Sequence, residues 1–138
     1  MAKITAESLE NYQVRVAAVG HEIVADEPPG TGDGRGPNPY ELLLAALASC
    51  TVMTVRMYAN RKEWPLEKVR AELTFDRVHA EDCAGCEAEH GIVERIGLRL
   101  AFEGDLTGEQ RDRLRYIASR CPVRKTLGAG PEIVETAE

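Results

Sequence analysis

The stretch "PNPYELLLAALASCTVM" (residues 37–53) decides the fold. Asn38 suits a helix N-cap, Pro39 the first helical position and Glu41 the third, where its carboxylate can reach back to the cap N–H. From Leu42 onward the positions are apolar or small on every side, so a helix running from Pro39 to about Asn60 has no polar face in its first three turns. Such a helix has to be covered all round, by sheet or by a second subunit. A chain of 138 residues has enough material for one core and can hardly wrap this helix alone, so a homodimer is expected. In the middle of the helix stands Cys50, expected to be buried.

Upstream, "YQVRVAA" (12–18) places Tyr12, Val14, Val16 and Ala18 on one face, the period of a half-buried strand. The chain should turn near Gly20 and return as "HEIVAD" (21–26). "EPPGTGDGRGPNP" (27–39) is too dense in Gly and Pro for anything but a loop, and long enough to suspect a functional role.

Downstream, Val69, Ala71, Leu73 and Phe75 alternate, as do Ile96, Leu98, Leu100 and Phe102. These are two strands joined by a long tip, "VHAEDCAGCEAEHGIVE" (78–94). Thr107 with Gln110 forms a second capping-box pattern. The helix it opens carries Leu114, Ile117, Ala118 and Cys121 on one face, with Pro122 setting its end. "PEIVET" (131–136) reads as a last short strand. The fold class is α+β in a single domain, 1–138: an antiparallel sheet with a long buried central helix and a second, amphipathic helix.

The composition limits the function. The net charge is −6 and the basic residues are scattered, which argues against nucleic acid and anionic membrane surfaces as partners. The first dozen residues lack the apolar centre of a signal peptide, and the longest apolar run, Leu42–Ala48, is far shorter than the roughly 20 residues of a span. A cytoplasmic protein is expected, whose four cysteines are reduced thiols, metal ligands or redox groups rather than structural bridges.

Cys50 and Cys121 would both point into the core, where each can be a small buried hydrophobe. Arg120, Arg124 and Lys125 crowd Cys121, and cations nearby favour a thiolate, though Arg120 also simply complements a helix C-terminus. The second pair lies in "HAEDCAGCEAEH", where His79, Cys83, Cys86 and His90 form H-x3-C-x2-C-x3-H. Two thiolates and two imidazoles make a sound tetrahedral set for zinc, and a C-x-x-C pair can instead cycle as a dithiol. The acidic neighbours Glu81, Asp82, Glu87 and Glu89 fit a solvated loop with neither role. His21, alone near a turn, reads as a surface residue.

"GPNPYELLLAALASC" followed at residue 121 by "CPVRKTL" resembles the OsmC/Ohr family, the osmotically inducible and organic hydroperoxide resistance proteins, from about Tyr12 to the end. Within it, "P-x-E-L-L-L-A-A-L" is closest to the OsmC-like branch. The resemblance implies an intertwined homodimer with active sites at the subunit interface. It also implies a thiol-dependent peroxidase that reduces organic hydroperoxides to alcohols in oxidative-stress defence, with no required cofactor. Carried across, Cys50 is the peroxidatic thiol and Cys121 the resolving one, regenerated by a dithiol such as a lipoyl group. Tyr40, Leu47 and Met53 would line the pocket. The family's peroxidases carry a catalytic Glu where this chain has Tyr40, and Glu41 is turned away by about 100°. Their thiolate-stabilising Arg has three possible counterparts: Arg35, Arg15 and Arg124. Two alternatives stand beside the peroxidase. One is a non-catalytic OsmC-like protein holding a lipophilic small molecule, and the other a zinc or redox module acting through Cys83 and Cys86.

Overall fold

The computed structural model describes residues 1–79 and 91–136. The chain divides into two compact units, Met1–Leu43 and Leu44–Glu138.

The first unit is a three-stranded antiparallel sheet, β1 (Thr5–Ser8), β2 (Val14–Ala18) and β3 (His21–Ala25), in that order. The hairpin expected around Gly20 is present, with Ala18 opposite His21 and Gly20 in the left-handed region at φ 75°. β1 adds an edge that the mixed polar N-terminus did not announce. Arg15 on β2 faces Glu7 on β1 and forms an ion pair with it.

The Gly-rich loop that follows is cross-braced by one carboxylate. Asp26 is 2% exposed and accepts the backbone N–H groups of Glu27, Asp33 and Arg35 at 2.7, 3.2 and 3.1 Å. Gly36 is required by close approach, since a Cβ there would lie 1.7 Å from the Val24 carbonyl oxygen. This loop delivers the chain to the capping box read from the sequence: Asn38 Oδ1 accepts from Glu41 N at 2.8 Å, and Glu41 Oε1 accepts from Asn38 N at 3.1 Å.

The helix so started, α1, spans Pro39–Lys62 and carries the chain into the second unit. It buries Leu47, Thr51, Val55, Tyr58 and Ala59, offsets of four and three that define one face. The expectation of cover on every side is corrected within one chain: Met53 is 63% and Met57 71% exposed. Its length and mean hydropathy of 1.6 would suit a membrane span, but its buried face belongs to the protein core described next.

A long two-stranded ribbon pairs β4 (Leu66–His79) with β5 (Ile92–Gly104). Its register sets Val69, Ala71, Leu73 and Phe75 against Phe102, Leu100, Leu98 and Ile96 on one face. The other face carries Glu72 opposite Arg99 and Asp76 opposite Arg95. Opposite charges in register favour this pairing over a slip by one residue. The core joins Val55, Tyr58 and Ala59 of α1 to Leu66, Phe102 and Leu106, and to Leu114 and Ala118 of α2 (Gly108–Ala118). α2 opens with the expected box, Thr107 Oγ1 accepting from Gln110 N and Gln110 Oε1 from Thr107 N.

Two expectations fail after α2. The helix stops at Ala118, and a tight turn, with Arg120 N donating to Ile117 O and Cys121 N to Ala118 O, carries the chain into a third helix, α3 (Pro122–Ala129). Pro122 therefore begins a helix at its first position rather than ending one, where its missing N–H costs nothing. Residues 131–136 form no strand: Ile133 and Val134 are 92% and 73% exposed, and no described strand pairs with them.

Candidate active site

Cys50 lies halfway along α1, partly exposed, next to the fully buried Thr51 and one turn before the half-buried Thr54. Cys121 is fully buried and is the N-cap residue of α3. The two free thiols, paired in the sequence only through the family resemblance, are in hydrogen-bond contact. Cys50 is thus not the fully buried residue its helix suggested. The pair has one sulfur within reach of solvent and one sealed behind it.

Their surroundings differ in what they offer a negative charge. Burial pushes the Cys50 thiol up, and the bond to Cys121 adds to that; the Val123 N–H and the Thr54 hydroxyl pull it back only in part. Burial also pushes Cys121 up. There it is outweighed by hydrogen bonds from Cys50, from the Arg124 N–H, from the Thr51 hydroxyl and from the Val123 N–H, so this thiol sits below its ordinary value. The cause is local architecture. The first N–H groups of α3 have no partner within their own helix, no side chain caps them, and they point at the sulfur. The two thiols titrate as a pair. The Thr51 hydroxyl also donates to the Leu47 carbonyl at 2.8 Å; its single proton can serve the carbonyl or the sulfur, one at a time.

An S–H of Cys50 donating to the Cys121 thiolate can pass its proton along the same bond. The charge then stands on Cys50, the sulfur an incoming molecule can touch. This geometry supports nucleophilic chemistry at Cys50, followed by condensation of the two sulfurs.

The other site residues named from the sequence fall as follows. Arg124 supplies its backbone N–H to Cys121, while its side chain lines a cavity of about 310 Å³ with Leu47, Glu94, Ile96, Leu98 and Leu127. Arg15 is engaged by Glu7, whose hydrogen bond and charge raise its pKa, and Arg35 donates its backbone N–H to Asp26. Both lie in the first unit, as does Tyr40, 44% exposed in the first turn of α1. Leu47 lines that same cavity, whereas Met53 is on the exposed face. Arg120 is exposed and lines a second cavity. His21 is exposed on β3, and His79 is exposed at the end of β4 opposite Ile92. Cys83, Cys86 and His90 lie outside the described residues, and with them the possible zinc or dithiol tip. Among the described residues no three side chains gather as metal ligands. Sequence reasoning missed Thr51, Thr54 and the α3 N–H groups. The signal was present in Pro122, immediately after a cysteine, at the preferred first position of a helix.

The family model for OsmC-like proteins matches residues 31–136. The chain belongs to the OsmC-like family. Solved structures of this family share its fold. An OsmC-like protein from Mycoplasma pneumoniae superposes with a TM-score of 0.74 at 22% identity, over 94% of this chain and 89% of its own. An organic hydroperoxide resistance protein OsmC from Legionella pneumophila gives 0.65 at 21% identity, over 92% and 88%. The organic hydroperoxide resistance protein OhrB of Bacillus subtilis gives 0.63 at 19%, over 94% and 92%. No functionally curated protein matches the sequence significantly. Membership in the OsmC-like family supports a redox theme, and the α+β architecture with antiparallel sheets is the family's own.

Proposed function

We propose that this OsmC-like protein is a thiol-dependent peroxidase that reduces organic hydroperoxides to alcohols, with Cys50 as peroxidatic and Cys121 as resolving thiol. The observation that carries the proposal is the contact between these two side chains, one partly exposed and one fully buried, drawn from opposite ends of the second unit. The Cys50 thiolate attacks the distal peroxide oxygen, the O–O bond breaks, and the alkoxide takes a proton to leave as alcohol. Cys50 is then a sulfenic acid. Cys121 displaces its hydroxyl as water, forming the Cys50–Cys121 disulfide. A dithiol such as a lipoyl group reduces that bond and is itself oxidised. The Thr54 hydroxyl at Cys50 and the α3 N–H groups at Cys121 hold charge on the pair, in place of the guanidinium first sought in Arg35, Arg15 or Arg124.

The working unit is a homodimer. Met53 and Met57 leave α1 with an uncovered apolar stripe that a second copy would bury. The protein serves oxidative-stress defence in the cytoplasm.

The test is consumption of cumene hydroperoxide with dihydrolipoamide as reductant. Wild type should turn over, and Cys50→Ser should lose at least a hundredfold, since no other group replaces the nucleophile. Folded, fully reduced wild type that leaves the peroxide intact would overturn the proposal.

A further inference from the structure

α1 carries one hydroxyl where its packing calls for a hydrocarbon. Its buried face reads Leu47, Thr51, Val55, Tyr58 and Ala59, and Thr51 is 0% exposed. Among the described residues, only Asp26 is likewise both polar and buried. Valine has the same branched shape and no polar atom to satisfy, so packing alone does not explain the hydroxyl.

That hydroxyl has two acceptors. One is the Leu47 carbonyl, 2.8 Å away on the preceding turn, a bond that any helical threonine can make. The other is the sulfur of Cys121, which comes from the start of α3 and is also 0% exposed. Thr51 and Cys121 are, with Val55 and Leu114, the largest fully buried side chains described. Hydroxyl and sulfur therefore meet where no water competes for either. Rotation about the single Cα–Cβ bond carries the proton from one acceptor to the other.

The acceptors differ in when they attract that proton. The Leu47 carbonyl is the same in every redox state. The Cys121 sulfur attracts a donor strongly as a thiolate and weakly once bonded to Cys50, when it carries no charge. In the disulfide the hydroxyl turns back to the carbonyl and is not left unpaired. Its bond to sulfur thus stabilises the reduced pair alone.

We propose that Thr51 is a redox-coupled rotor that sets the poise of the Cys50–Cys121 pair, its hydroxyl on the Cys121 thiolate when the pair is reduced and on the Leu47 carbonyl when it is a disulfide. The selective bond makes the disulfide easier to reduce. A dithiol's thiolate attacks the more accessible Cys50 sulfur, the S–S bond breaks, and its electron pair passes to Cys121, where Thr51 holds the departing charge. The dithiol's second sulfur then displaces Cys50 from the mixed disulfide, and the dithiol leaves as its own cyclic disulfide. In the peroxidase cycle this is the regeneration step, and to that extent the inference rests on that reading. The poise itself needs no peroxide.

The test is redox equilibrium of the full-length protein with dihydrolipoamide and lipoamide at about pH 9, where thiols ionise. The disulfide is first made with diamide, and the fraction of chains carrying the Cys50–Cys121 cross-link is read by peptide mapping after acid quench. Thr51→Val should shift the equilibrium towards the disulfide by about tenfold, or roughly 30 mV, and slow its reduction. Thr51→Ala should behave as Val does, whereas Thr51→Ser, which keeps the hydroxyl, should stay within about twofold of wild type. A purely structural role gives a different order, with Val nearest to wild type in shape and Ser and Ala alike further away. The Ser and Ala pair carries the comparison if Val impairs folding. Wild-type poise in the hydroxyl-free variants, or an equal shift in Thr51→Ser, overturns the proposal. Failure of diamide to link Cys50 to Cys121 would overturn both this inference and the peroxidase reading. A Thr51 shift in a protein that leaves cumene hydroperoxide intact would sink the peroxidase reading alone, and turnover without the shift would sink the rotor alone.

Discussion

Three helices of this chain begin in two different ways. α1 and α2 start in reciprocal boxes, Asn38 with Glu41 and Thr107 with Gln110, in which side chains satisfy the exposed N–H groups. α3 starts at Cys121 with no side-chain cap, and its N–H groups face sulfur. A capped terminus spends its donors on stability. An uncapped one keeps them for the charge of a thiolate. The same backbone feature is thus structural at two sites and chemical at the third.

The largest effect that sharpens this contrast is at Cys121. Serine is among the best N-cap residues, so Cys121→Ser should leave the melting temperature unchanged or raised, by at most about 1 kcal/mol of stability. Steady-state peroxide turnover, measured with dihydrolipoamide, should fall by roughly a hundredfold or more because no intrachain disulfide can form. A variant that is equally stable and still fully active would break the comparison.

Next comes the cap of α2. Thr107→Ala removes one capping bond and should cost about 1 kcal/mol in denaturant unfolding. Per folded molecule, peroxide turnover should remain that of wild type, because Thr107 takes no part in the thiol chemistry.

A subtler difference shows in pH dependence. In a variant carrying Cys83→Ser and Cys86→Ser, thiolate absorbance should rise in two steps, one below the ordinary thiol value and one above it. Cys50→Ala should move the remaining ionisation upward, since Cys121 then loses a donor. The linkage to stability has opposite signs for the two sulfurs. The lowered Cys121 contributes stability that is present above the unfolded thiol pKa and lost as pH falls through its folded value. The raised Cys50 contributes stability present below the unfolded pKa and lost as pH rises through its folded value. A single unperturbed step for both thiols would contradict the account.

The sequence showed clearly what rests on local rules. The boxes at Asn38 and Thr107, the alternation of Val69–Phe75 against Ile96–Phe102 and the turn at Gly20 were all readable, because each is fixed by neighbours within a few residues. The two thiols were readable as a pair through family resemblance, not spacing. What stayed hidden depends on contacts between distant segments. Pro122 fits both the end of one helix and the start of the next, and only the turn after Ala118 chooses between them. The tail at 131–136 has strand-like residues without a described partner, and alternation alone does not make a ladder. The contact of the Thr51 hydroxyl with Cys121 joins α1 to the start of α3, so no single window of sequence contains it.

The most direct test of the central claim, that Cys50 and Cys121 work as one redox pair, is peptide mapping of the full-length protein. Reduced protein would receive one equivalent of cumene hydroperoxide and be alkylated under denaturing conditions before digestion. The account predicts a single cross-linked species joining the Cys50 peptide to the Cys121 peptide within one chain. Recovery of both peptides with their thiols alkylated and unoxidised, after the peroxide had been offered to folded protein, would contradict it.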